Sequence, residues 1–132
     1  MRMMLAAACI AFTTGAHAQE RPPLGYDPFI SQTLVAGRIA DRIRKTCPTI
    51  SARLLLALGK IEDMKARARD LGYSDAEITA FTKDPVEKAR VRDAAEAWLT
   101  AAGAVKGDAE SFCRVGRAEI ARKSLVGSVL RG

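Results

Sequence analysis

Four helix-start signals divide most of this chain and restrict it to short helices joined by tight connections. The dipeptide Asp-Pro occurs at positions 27–28 and 84–85, where an acidic cap precedes a proline at the first helical position. Residues 74–77, Ser-Asp-Ala-Glu, have the form of a capping box, and Asp108 can cap a further helix. No convincing strand alternation is found between Pro28 and the C-terminus. The pattern predicts one all-α domain of about five helices, the third of them short.

The second of these helices has the longest apolar pattern in the chain, and we expect it to begin within residues 48–51 and to end before Gly72. Apolar residues recur there at steps of three and four and should share one buried face: Leu54, Leu58, Ile61, Met64, Ala68 and Leu71. Leu55 and Leu56 widen this stripe, so we expect its beginning to be buried on more than one side. The other helices are predicted at residues 28–46, 75–82, 85–102 and from 108 into the C-terminal segment.

Residues 1–18 have the features of a cleaved secretory signal peptide. Arg2 supplies the positive charge, an apolar run follows, and Ala-His-Ala at positions 16–18 matches a cleavage site. The apolar run is about ten residues, roughly half of what a membrane-spanning helix requires. We therefore expect export to the periplasm, an extended linker over residues 19–27 and a compact helical domain over residues 28–132.

Cleavage would remove Cys9 and His17, the only histidine, and would leave Cys47 and Cys113 as the remaining cysteines. A lone pair of cysteines in a small exported domain most often forms a disulfide, whereas two free buried thiols are the alternative. We expect the disulfide, which would join the end of the first helix to the last helix.

This inventory of residues argues against most enzyme classes. Ser-His-Asp and Cys-His sites need an imidazole, and zinc sites draw on histidine or on three or four cysteines. No phosphate-binding loop, dinucleotide fingerprint or calcium loop is present. A pair of glycosidase carboxylates is formally possible, but nearly all acids lie at helix starts or opposite a base at helical spacing. We therefore predict a protein that is not an enzyme, with no catalytic residues, no cofactor and no metal.

The net charge of +6 suggests an acidic partner or a solvated surface. Arg38, Arg42 and Lys45 gather on the first helix and form a candidate basic surface. Nucleic acid is a poor candidate because the bases are dispersed over all helices and aromatic residues are few. Anionic lipid head groups, or an acidic patch on a membrane-protein partner, suit an exported protein better.

The C-terminal segment SLVGSVLRG is apolar, and its candidate partner-binding residues are Leu125, Val126, Val129 and Leu130. Two interpretations are open for these side chains. They either pack on the core or form a docking strip for a protein partner.

Three segments, TCPTISARLL, LGYSDAEI and GRAEIARKSLVG, occur in this order behind the predicted signal peptide. In this arrangement the chain resembles a family of small exported bacterial proteins classed as a domain of unknown function. The resemblance covers nearly the whole exported chain. It implies export and a compact single domain, and it implies no activity or site residues.

Our leading functional hypothesis is a non-enzymatic periplasmic interaction module, an accessory subunit docked on a membrane-protein complex of the envelope. The alternative is a soluble periplasmic stress chaperone or inhibitor protein that acts on transient clients. A subunit should keep a permanent apolar patch, whereas a chaperone should expose apolar surface only conditionally. The absence of histidine from the exported chain disfavours a pH switch near neutrality and thus the chaperone.

Overall fold

The computed structural model describes residues 20–132, which form a helical domain with one small sheet. The elements are a 3₁₀ turn at Leu24–Tyr26, α1 at Pro28–Thr46, β1 at Ser51–Ala52, α2 at Leu54–Asp70, α3 at Asp75–Lys83, α4 at Pro85–Ala101, α5 at Ala109–Arg122, α6 at Leu125–Ser128 and β2 at Leu130–Arg131. The predicted all-α class with five main helices is confirmed. The predicted signal peptide lies outside the described residues.

The helices begin where the sequence indicates because their capping side chains form the expected hydrogen bonds. Asp27, Asp84 and Asp108 each accept a hydrogen bond from the backbone N–H three residues later. Ser74 and Glu77 form both halves of the predicted capping box. Each bond satisfies an N–H of the first turn that has no partner within the helix. The local sequence therefore sets the starts of α1, α3, α4 and α5.

The start of α2 differs from the prediction, since the helix begins at Leu54 and not within residues 48–51. The residues in between form a turn and β1, which pairs antiparallel with β2. Arg53 then donates its backbone N–H to the carbonyl of Val129 at 2.8 Å. The sequence did not predict the two strands, because two residues are too few to show alternation and the paired residues are up to 80 positions apart in the chain.

The last helix is also shorter than predicted, because the chain turns at Lys123 with a left-handed φ of 53°. Ser124 then caps the short α6 by accepting a hydrogen bond from the N–H of Gly127. Gly127 lies directly against the backbone at Glu119, where a Cβ atom would overlap the carbonyl group. The break allows α6 to fold back onto the end of α5.

Two groups of buried side chains hold the domain together. The main core is formed by Ala36, Ile39, Ala40, Ile43, Cys47, Ile50, Ala95, Leu99, Ala104, Phe112, Cys113, Val115, Val126, Val129 and Leu130. The smaller core is formed by Leu24, Ile30, Met64, Ala68 and Ile78. From α2, only Met64 and Ala68 are buried, and both lie in the C-terminal half of that helix.

The segment predicted as a linker over residues 19–27 packs on the helices from Arg21 onwards. The Arg21 guanidinium lies over the Tyr73 ring at 4.3 Å and pairs with Glu77 at 2.8 Å. Leu24 is buried in the smaller core. The packed domain therefore begins before residue 28, the predicted boundary. The sequence does not indicate this, because the contacts join residues that are far apart in the chain.

The predicted disulfide is confirmed. It joins Cys47, at the end of α1, to Cys113 in α5, and the two residues are 66 positions apart. One turn further along α5, Gly116 packs against Ile43 and Ile50, and a Cβ atom there would overlap both side chains. The glycine therefore allows a close crossing of α1 and α5, and the disulfide lies beside that crossing.

Replacing Cys47 by serine should lower the free energy of unfolding by about 4 kcal/mol, because the disulfide restricts a long loop of the unfolded chain. Urea denaturation of the oxidised protein and of Cys47→Ser measures this difference. As a control, Cys47→Ser should unfold identically with and without reductant. An oxidised wild type no more stable than the variant would contradict the expectation.

Replacing Gly127 by alanine should destabilise the protein by about 3 kcal/mol, because the new Cβ would displace α6 from the end of α5. Gly59 is the matched control, since it lies within α2 and has no atom within 4 Å of an added Cβ. Gly59→Ala should stabilise the protein by about 0.5–1 kcal/mol through helix propensity. Thermal unfolding of both variants distinguishes the two effects, and equal melting temperatures would refute the first.

Stability should also decrease in acid through Glu77, whose pKa is lowered to about 2, mainly by the hydrogen bond from Arg21 and then by that from the Ser74 backbone. A carboxyl group with a lowered folded-state pKa stabilises the fold above its unfolded-state pKa, and this contribution is lost as the pH falls through the folded-state value. The melting temperature should therefore fall between pH 4.5 and about 2. The fall should be smaller in Glu77→Gln, and equal falls in both proteins would argue against the assignment.

Candidate docking surface

The N-terminal half of α2 carries a row of exposed apolar side chains, which we call the α2 ridge. The exposed fractions are 70% for Leu54, 84% for Leu55, 45% for Leu56, 57% for Leu58 and 42% for Ile61. The prediction that these residues are buried is therefore wrong for this half of the helix. An exposed cluster of large apolar residues is typical of interaction sites.

The ridge is exposed because α2 reaches the smaller core only with its second half. Met64 and Ala68 are 3% and 2% exposed, about three and four turns after the helix begins. At its beginning, the chain is tied to the C-terminal segment through β1 and through the bond from Arg53 to Val129. The first turns of α2 therefore lie at the edge of the main core. The rest of the domain packs against them on one side only.

An apolar groove of about 250 Å³ lies between the ridge and α1. The groove is lined by small residues of α1 (Thr33, Ala36, Gly37 and Ala40), by Ala52, Leu54, Ala57 and Ile61 along β1 and α2, and by Leu125 and Val129 at the C-terminal segment. A Cβ atom at Gly37 would meet no atom within 4 Å, so the α1 side of the groove is open.

Charged groups complete the lining of the groove at Asp41, Arg44 and Lys60. Burial by itself would raise the pKa of Asp41, but hydrogen bonds and charges of Lys45 and Arg44 outweigh it and hold that pKa below its usual value. The Asp41 carboxylate is thus ionised and already paired at neutral pH. The groove is apolar inside and has an excess of basic groups around it.

A second surface adjoins the groove at Leu54, and we call it the α2 tip. It is formed by Ala52, Arg53, Leu54, Leu55, Leu56 and Arg131. The Arg131 Nε donates a hydrogen bond to Ser51 Oγ at 3.1 Å, which holds this arginine beside the start of α2. Within residues 20–132, neither Arg53 nor Arg131 forms an ion pair with an acid.

The predicted C-terminal docking strip is largely core. Val126, Val129 and Leu130 are 6%, 7% and 2% exposed, whereas Leu125 is 37% exposed. The strip therefore does not form a surface of its own, because α6 folds back on α5 and β2 pairs with β1. Leu125 and Val129 contribute instead to one side of the groove.

The predicted basic surface on α1 is paired with two acids, and one of them, Asp41, is shared by Arg38, Arg44 and Lys45. The Arg42 Nε lies 2.9 Å from Glu96 Oε1, since α1 packs along α4. The Lys45 ammonium lies 2.7 Å from Asp41, and Arg38 lies 3.9 Å from the same carboxylate. The two acids therefore offset only part of the positive charge on this face of α1. The unpaired arginines of the α2 tip were not predicted.

One signal in the sequence could have indicated the exposed ridge. Consecutive residues of a helix are separated by about 100° around its axis, so three successive leucines at 54–56 cover more than one face. A helix packed on one side cannot bury all of them. The three leucines widen the apolar stripe and predict burial on more than one side. In the structure they instead form a surface that the domain leaves exposed.

Two further properties hold for the described range of residues 20–132. No group of three or more metal-ligating side chains lies close enough together there to hold an ion. None of the helices in this range has the length and apolar character required to cross a membrane.

A family model described as a family of unknown function (DUF5333) matches residues 22–131. The match confirms the resemblance noted in the sequence, and it includes both disulfide cysteines, the groove and the α2 tip. No curated protein and no solved structure matches the chain.

The two halves of α2 should respond differently to mutation. Leu58→Ser should change the free energy of unfolding by less than about 0.5 kcal/mol, because the side chain is already exposed. Met64→Ala should cost about 2–4 kcal/mol, because it opens a cavity in the smaller core. Urea denaturation measures both values. A cost at Leu58 similar to that at Met64 would show that the ridge is packed in solution.

Proposed function

The chain belongs to this family of unknown function, and we propose that it is a non-enzymatic periplasmic interaction module that serves as an accessory subunit of an envelope membrane-protein complex. The groove beside the α2 ridge is the surface that holds the protein partner. The observation that carries this proposal is the exposure of a large apolar surface in a fold whose disulfide is already closed.

The lining of the groove suits an apolar segment of a protein. Small residues at Ala36, Gly37 and Ala40 let a partner side chain approach the α1 backbone, and Leu54 and Ile61 provide apolar contact on the opposite side. Each large apolar side chain that a partner buried there would contribute about 1.5–3 kcal/mol. An amphipathic helix laid along such a groove is a common form of recognition between proteins.

The groove is also held in shape before any partner binds. Its α2 side is tied to its C-terminal side by the β1–β2 pair and by the bond from Arg53 to Val129. The disulfide fixes the segment from Cys47 that leads into β1. A site that is formed in advance loses less conformational entropy on binding, which favours a lasting complex.

The arrangement of the acidic residues supports a non-enzymatic role. The pKa of Asp27 is lowered, first by the hydrogen bond from Arg67, and this carboxylate also caps α1. The pKa of Asp41 is lowered as well, because hydrogen bonds and charges of Lys45 and Arg44 outweigh the effect of its burial. Carboxylates with lowered pKa values are poor general acids at neutral pH, so these groups are better suited to holding the fold than to proton transfer.

The disulfide also supports export, because such bonds persist in oxidising compartments such as the periplasm. The alternative function is a periplasmic stress chaperone or inhibitor protein that acts on transient clients. Such a protein should keep its apolar surface covered and expose it only under stress. The α2 ridge is exposed with the disulfide formed, which favours the subunit over the chaperone.

Capture from gently solubilised envelope membranes tests the proposal. The exported, tagged protein should recover one membrane-protein complex in stoichiometric amount. Gly37→Leu should reduce this recovery at least about tenfold, because the new side chain fills open space in the groove. Gly59→Leu is the control, since it adds the same side chain to α2 at a position that does not line the groove.

The two functional hypotheses predict different captures. Equal recovery with both variants would contradict the use of the groove. Recovery of many different client proteins, or of the tagged protein alone, would reject the accessory-subunit hypothesis and favour the chaperone or inhibitor. Circular dichroism and melting curves of the two variants check that the fold is retained.

A further inference from the structure

The α2 tip differs from the groove in that its apolar side chains protrude. Leu55 and Leu54 are 84% and 70% exposed, the highest values on the ridge, and Leu56 is 45% exposed. Leucines this exposed offer most of their surface to whatever approaches the tip. They can enter a soft apolar medium, such as the boundary between the head groups and acyl chains of a bilayer.

The charged residues that line the tip have one sign. Arg53 directly precedes the leucines, and Arg131 lines the same surface, held there by its hydrogen bond to Ser51. Neither arginine forms an ion pair within the part of the chain that the structure describes. The first acid along α2, Glu62, is already paired with Lys65 at 2.8 Å. The tip therefore has two uncompensated positive charges beside its apolar side chains.

We propose that the α2 tip binds the surface of an anionic phospholipid bilayer. Leu54, Leu55 and Leu56 enter the apolar boundary, while Arg53 and Arg131 contact lipid phosphates. Charge complementarity selects this occupant, because an anionic lipid surface offers phosphates to both arginines and an apolar boundary to the leucines beside them. This contact is separate from the protein contact in the groove, and the two surfaces share only Ala52 and Leu54.

Co-sedimentation with lipid vesicles tests the proposal on the exported protein. Its N-terminus is first determined by mass spectrometry, because an uncleaved apolar leader would itself bind vesicles. One set of vesicles contains equal amounts of phosphatidylglycerol and phosphatidylethanolamine, and the other contains phosphatidylcholine alone. The protein should bind the anionic vesicles at least about tenfold more tightly, and a rise in salt concentration should weaken this binding.

Two double variants separate the apolar and the charged contributions. Leu55→Ser/Leu56→Ser should weaken binding to anionic vesicles about 100-fold, because two buried apolar side chains are lost. Arg53→Gln/Arg131→Gln should weaken it about 20-fold and remove most of its dependence on salt.

Matched controls use exposed residues that do not belong to the tip. Val86 and Val105 are 74% and 56% exposed, and Val86→Ser/Val105→Ser removes apolar surface of a similar kind. Lys83→Gln/Lys106→Gln removes two exposed charges elsewhere. Both controls should bind the anionic vesicles within about twofold of the wild type if the tip is responsible.

Three results would overturn the proposal: no binding to anionic vesicles, equal binding to both vesicle types, or equal losses in the tip variants and their controls. If Leu55→Ser/Leu56→Ser instead disrupts a dimer seen by sedimentation velocity, or prevents capture of a protein complex, the tip is a protein contact and the lipid assignment is wrong. Failure here leaves the groove proposal standing, since that proposal depends on the response to Gly37→Leu.

Discussion

The disulfide between Cys47 and Cys113 is the constraint on which the remaining architecture depends. It ties the end of α1 to α5 beside the close crossing at Gly116, so residues 48–53 run next to the C-terminal segment. That neighbourhood allows β1 to pair with β2. The pairing sets where α2 begins and which of its residues remain uncovered. An ordinary covalent link thus determines the position of the main apolar surface of the molecule.

The helix α2 combines two roles along its length. Its second half contributes Met64 and Ala68 to the smaller core and contributes Arg67 to the ion pair with Asp27. Its first half adds little to packing and presents the ridge to solvent. Five exposed large apolar side chains weaken solubility and add little to stability, so they are best explained by a partner that covers them. The packed second half of the helix holds the exposed first half in position.

The groove and the α2 tip together suggest an orientation for the protein at a membrane. The groove is concave, apolar and formed in advance, which suits a segment of a protein. The tip is protruding and positively charged, which suits an anionic surface. Because both surfaces include Leu54, a complex that used both would place the protein partner beside the bilayer. This arrangement fits an accessory subunit at the edge of a membrane-protein complex.

Local sequence determined the starts of α1, α3, α4 and α5, because Asp27, Asp84, Asp108 and the capping box at 74–77 act on backbone groups within three residues. These signals, the lack of strand alternation and the pair of cysteines also sufficed for the all-α class and the disulfide. The two strands, the break at Lys123 and the packing of Arg21 on Tyr73 depend on contacts between distant residues, which no local pattern specifies. The candidate site shows the same division. Periodicity identified the apolar residues of α2, but burial depends on what packs against a helix. Only the tertiary structure decided that Leu54–Leu56 face solvent and that Val126, Val129 and Leu130 lie in the core.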